Sequence, residues 1–141
     1  MTAIDPSWAA LGRSDNAAFF AALPRVLVVA PDDGCTDDEQ TARQSLMFQR
    51  EHWQRQGTPG AAVVLMDRVA HQTKAARRVY QTDVDLEWVT GFGLVTHSVF
   101  GRAVASVFMG LTQPPVPTRM FGKVEQALHW ASGLPAKADG R

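Results

Sequence analysis

Only one cysteine, Cys35, occurs among the 141 residues, so no internal disulfide can brace the fold and a cysteine-rich zinc site is excluded. Neither sign of charge is in excess: fourteen basic side chains balance fourteen acidic ones. That balance removes the broad positive field by which proteins hold nucleic acid through its phosphates, and no nucleic-acid partner is expected. Long hydrophobic runs are missing as well. The most apolar stretch, Val99 to Leu111, is broken by Arg102 and falls far short of the roughly 20 residues a helix needs to cross a bilayer. No transmembrane segment is therefore expected, although peripheral membrane contact stays open. The opening Met1 to Pro6 lacks the basic and apolar blocks of a secretory signal, which with the lone cysteine gives the expectation of a cytoplasmic protein.

What is present suits one folded domain. The length is that of a single core, and 45% hydrophobic against 20% charged residues excludes the composition of a disordered chain. Pro24 precedes Val26 to Ala30, a β-branched run closed by Pro31-Asp32-Asp33-Gly34, which reads as a buried strand. Thr36-Asp37-Asp38-Glu39 has the spacing of a capping box, so a helix is expected from Thr36, with Ala42, Leu46 and Trp53 on its apolar face and Gly57 at its end. Ala62 to Met66 reads as a second strand ending at Asp67, Ala75 to Tyr80 as a short helix starting near Thr73, and Phe92 to Thr96 as a third strand. Ser98 is a plausible N-cap for a helix over Val99 to Leu111, stopped by Pro114, Pro115 and Pro117. A short strand at Thr118 to Phe121 and a helix carrying Val124, Ala127, Leu128 and Ala131 close the chain. Strands alternating with helices imply an α/β domain with a mixed, mainly parallel sheet and helices packed on it. Residues 26–132 form its core, 133–141 read as a frayed tail, and 1–25 carry both helix and turn signals and stay unassigned.

Several of these segments together resemble a known family. Val64-Leu65-Met66-Asp67, the helix around Ala75 to Tyr80, and Arg119-Met120-Phe121 followed by Glu125-Gln126-Ala127-Leu128-His129-Trp130 are similar to the SpoIIAA-like, STAS-related group. The resemblance runs from about Val26 to Trp130 and rests on the order of the segments. It implies a STAS-like regulatory domain without catalysis, acting on a protein partner or, in some relatives, on an apolar small molecule or lipid. Phosphorylated members of the group carry an Asp-Ser-Ser-Gly-like turn at a helix start. Here the turn reads Ala70-His71-Gln72-Thr73-Lys74, and Thr73, its single hydroxyl, is read first as a helix cap.

Three candidate sites compete with plainer roles for the same residues. The partner-binding surface is expected over Asp67, Arg68, His71, Thr73, Lys74, Arg77 and Arg78, the densest basic run, whose plainer reading is a solvated helix face. A ligand pocket for an apolar molecule is expected among Phe92, Leu94, Phe100, Val104, Phe108 and Phe121, against the plainer reading of ordinary core. A small hydrolase using Ser98 and His97 is the third reading, weakened because no Gly-x-Ser-x-Gly elbow surrounds them. His52, His71, His97 and His129 lack the spacing of metal ligands, and the acidic run from Asp32 to Glu39 lacks the alternation of a calcium loop, so neither metal nor cofactor is expected. Gly91-Phe92-Gly93 lacks the third glycine of a dinucleotide fingerprint. Cys35, among aspartates, reads as an unreactive thiol. An exposed Trp53 or Trp88 would point to a homodimer.

Overall fold

The computed structural model describes residues 3–98, 102–103, 106 and 114–136. The unassigned opening is an antiparallel hairpin, β1 (Ala9–Arg13) and β2 (Ala17–Leu23), which continues through Pro24 and Arg25 into β3 (Val26–Pro31). Proline fixes the first turn position and Arg25 takes a positive φ of 68° at the second, so β2 and β3 are joined by two residues. The Ala9 to Leu23 stretch carries both helix and turn signals because its alanines and phenylalanines alternate too loosely to advertise a strand. Pairing with β3 overrides their helix propensity.

From β3 onward the sheet is parallel. β5 (Gly60–Leu65) pairs with β3, β7 (Val89–Val95) with β5, and β8 (Thr118–Phe121) with β7, giving the order β1-β2-β3-β5-β7-β8. The expected α/β class is what the chain adopts: one domain with a mixed, mostly parallel sheet and helices packed on it. Helix α1 (Glu39–Gln56) links β3 to β5, α2 (Lys74–Thr82) links β5 to β7, and α3 (Val124–Ser132) follows β8.

Period-two alternation sorts the strand residues onto two faces. Leu27, Val29, Ala62, Phe92 and Leu94 meet Ala42, Leu46 and Trp53 of α1 and Ala76 and Val79 of α2. Val26, Val28, Val63, Leu65 and Val95 meet Ala127 and Ala131 of α3 on the other face, where Trp8, Phe20 and Trp130 close the edge. Trp53 is 2% exposed, which removes it as a homodimer cue, and Trp88 packs against the first core. The stretch read as a tail is anchored at its start. Leu134 packs into the second core, and its carbonyl accepts a hydrogen bond from the Arg25 guanidinium.

Two short strands were not foreseen. β4 (Cys35–Asp37) and β6 (Val69–Gln72) leave the C-terminal ends of β3 and β5 and pair in parallel as a separate ribbon. Their pairing corrects the expected helix start: Thr36 is extended and lies beside His71, so it cannot cap α1. Asp38 is the cap instead. Its carboxylate accepts from the Thr41 amide at 2.9 Å while the Thr41 hydroxyl accepts from the Asp38 amide at 2.8 Å, a capping box shifted by two residues.

Candidate functional site

The ribbon of β4 and β6 places Asp37 in register with Gln72, above the C-terminal ends of the parallel strands, where α/β sheets generally receive ligands. Asp37 is buried, and its carboxylate accepts three hydrogen bonds. Thr41 Oγ1 donates at 2.7 Å, Tyr80 Oη at 2.8 Å and Gln72 Nε2 at 3.2 Å. A buried carboxylate is tolerated only when its lone pairs are met, and these three donors come from α1, α2 and β6. Asp37 is therefore the residue on which the two helices and the ribbon converge. Burial, then the neighbouring Asp37 charge, pushes the Tyr80 hydroxyl well above its ordinary value of 10.0.

Beside this cluster lies a cavity of about 40 Å³. Its polar side is formed by Asp37, Ser45, Gln49, Gln72 and Tyr80, and its apolar side by Val29, Val64, Phe92 and Leu94. Gln49, 1% exposed, donates through Nε2 to Ser45 Oγ at 3.1 Å. Its Oε1 has no hydrogen-bond partner among the described residues.

A second carboxylate, Asp67, stands in the 3₁₀ turn Met66–Arg68 after β5. It accepts from Thr96 Oγ1 at 2.6 Å and from the amides of His97 at 2.9 Å and Ser98 at 3.4 Å, latching the end of β7 to the end of β5. Burial raises its pKa, but the hydrogen bonds from Thr96, His97 and Ser98 outweigh that and hold it below the ordinary 3.8. Asp67 is accordingly a structural latch between the ends of β5 and β7. The same geometry bears on hydrolysis, because the His97 and Ser98 amides point at Asp67 and not toward a site for a substrate oxyanion.

The rest of the expected partner surface divides in two. Thr73 caps α2, its hydroxyl accepting from the Ala76 amide at 3.0 Å, and Arg77 donates to the Gln72 carbonyl at 3.0 Å. Arg68 is half-buried. His71, Lys74 and Arg78 are exposed, with Lys74 and Arg78 one turn apart on α2.

The expected apolar pocket does not assemble as drawn. Phe92 and Leu94 line the cavity under α1 and α2, whereas Phe121 is in register with Val95 and packs on Trp130 across the sheet. Alternate residues of a strand face opposite ways, so 92 and 94 cannot share a pocket with the neighbour of 95. Phe100, Val104 and Phe108 lie outside the described residues, as does most of the expected Val99 to Leu111 helix. No group of histidine, cysteine or acidic side chains fit to hold a metal ion occurs among the described residues.

Cys35 opens β4. Burial first, then the charges of Asp37 and Asp32, pushes its thiol up to about 11 from 9.0. At neutral pH it should hold roughly a hundredth of the thiolate of a free cysteine, and alkylation should be correspondingly slow. Because both Cys35 and Tyr80 ionise less readily folded than unfolded, the stability they contribute is fully present below pH 9 and is lost as the pH rises beyond it. Denaturation midpoints between pH 8 and 11 check this, with Cys35→Ser expected to delay the onset of the fall.

Residues 35–134 match the model of a family described as a domain of unknown function (DUF7793). The chain belongs to that family. The matched stretch contains both carboxylate clusters, α2 and α3, and begins at β4, so β1 to β3, half of the main sheet, lie ahead of it. No curated protein and no solved structure matches the chain.

Proposed function

We propose that this DUF7793 domain is a non-enzymatic regulatory module of the SpoIIAA-like, STAS-related kind that binds a protein partner through the β6–α2 face. The observation that carries the reading is how the hydroxyls and carboxylates there are used. Asp67 is spent on the β7 end, Thr73 on the helix cap and Asp37 on the interior, which leaves His71 exposed on β6 and Lys74 and Arg78 exposed on the capped helix that follows it. Such a face suits recognition of an acidic surface more than bond chemistry. The order of elements also supports it: a strand ending in Asp67, a turn, a helix beginning after Thr73, and a closing strand and helix.

Affinity capture from the source cells tests the reading. The double variant Lys74→Glu with Arg78→Glu should lose at least one protein that the wild type captures, while Arg50→Glu on α1 should retain it, both variants with unchanged unfolding temperatures. An identical captured set would sink the proposal.

A second reading, small-ligand binding, is favoured by the cavity under Phe92 and Leu94. At about 40 Å³ the cavity is too small for a lipid chain, since a cavity of roughly 150 Å³ takes up a guest no larger than benzene or xenon.

A further inference from the structure

The cavity carries an imbalance that the fold alone does not explain. Asp37 is buried with three neutral donors, and among the described residues it has no cationic partner. Next to it, Gln49 presents a buried acceptor without a donor. The walls of the polar side thus offer negative charge and a spare lone pair, and what would satisfy them is a positively charged hydrogen-bond donor. The opposite walls, Val29, Phe92 and Leu94, offer nothing to a bare metal ion, which would need oxygen ligands all round. They suit a methyl or methylene group. Tyr80 and Phe92 meet edge to face at 6.5 Å and 79°, supplying ring surface of the kind that attracts a cation's polarised C–H groups.

Size narrows the class further. A water needs roughly 10–15 Å³ of such space, so about 40 Å³ takes a guest of two or three heavy atoms. We propose that the cavity binds a short-chain primary ammonium ion, its N–H donors on the Asp37 carboxylate and Gln49 Oε1 and its alkyl group against Phe92 and Leu94. Because Tyr80 lies on α2 and Gln72 on β6, the guest would brace the two elements that carry the outward basic face. The site does not depend on that face having a partner.

Thermal unfolding of the whole chain tests the site with methylammonium chloride as probe, against sodium chloride and tetramethylammonium chloride at equal ionic strength. A ligand that binds the folded state alone raises the midpoint in a saturable way. Methylammonium should do so, and tetramethylammonium, which has no N–H and is too large, should match sodium. Asp37→Asn, which keeps the shape and removes the charge, should abolish the rise. Should that variant not fold, Gln49→Leu should weaken the apparent affinity roughly tenfold by removing one hydrogen bond. The same rise with all three salts, no rise up to about 100 mM methylammonium, which is the result for a cavity holding only water, or a rise undiminished in both variants would overturn the proposal.

Discussion

Replacing Asp37 with alanine is expected to cost about 3–5 kcal/mol of folding stability, several times the effect at its neighbour Asp38. The two aspartates are adjacent and acidic, and sequence alone gives them the same role. Asp38 is exposed and satisfies one amide at the start of α1, a cap whose loss costs roughly 1 kcal/mol. Asp37 is buried and receives Thr41, Gln72 and Tyr80. Its removal leaves three interior donors facing a void, and each unsatisfied group costs roughly 1–3 kcal/mol before the structure relaxes. Tyr80→Phe, which withdraws one donor and leaves the acceptor its other two, should cost only about 1 kcal/mol. Urea denaturation of the three variants separates these cases. Equal losses at Asp37 and Asp38 would mean that the convergence of α1, α2 and β6 on Asp37 contributes little.

The second large effect is expected at Gly60, the first residue of β5. A Cβ built there falls 2.5 Å from Cε2 of the Trp53 indole, far inside contact distance. Trp53 is held between sheet and helix with 2% of its surface exposed, so the ring has nowhere to go. Gly60→Ala should therefore cost about 3 kcal/mol, at the upper end of overpacking penalties, and lower the unfolding midpoint by roughly 10 °C. Trp53→Leu removes the six-membered ring that the new Cβ would meet. In that background the alanine should cost much less, a non-additivity that distinguishes steric conflict from a backbone effect at glycine. Additive losses would contradict the packing account.

How much of this was legible in the sequence follows from the kind of signal each part carries. Val26 to Ala30 and Ala62 to Met66 announced themselves as strands because continuous apolar runs have few alternatives, and the α/β order followed. β4 and β6 did not. They are three and four residues long and mostly polar, and their strand character comes from pairing with each other. Reading Thr36 as the helix cap was the consequence, and it hid Asp37 among surface aspartates. A fainter signal did exist on α1. Ser45, Gln49 and His52 fall on the same buried stripe as Ala42, Leu46 and Trp53, and three polar residues within an apolar stripe mark a helix that packs on something polar. Phe121 was grouped with Phe92 and Leu94 because composition says nothing about which face of a strand a residue takes. That depends on register, and Val95 beside Phe121 settles it. On α2, the basic run was visible, but its division into outward Lys74 and Arg78 and inward-tied Arg77 required the Gln72 carbonyl to be in place.

The measurement that bears most directly on the partner-binding account is site-specific photocrosslinking in the source cells. A crosslinking residue is placed at Arg78 on α2 and, separately, at Gln126 on α3, both exposed and on opposite faces of the sheet. The account predicts a discrete heavier species through position 78 that is absent through position 126. Crosslinks through 126 alone, or the same species through both, would contradict it.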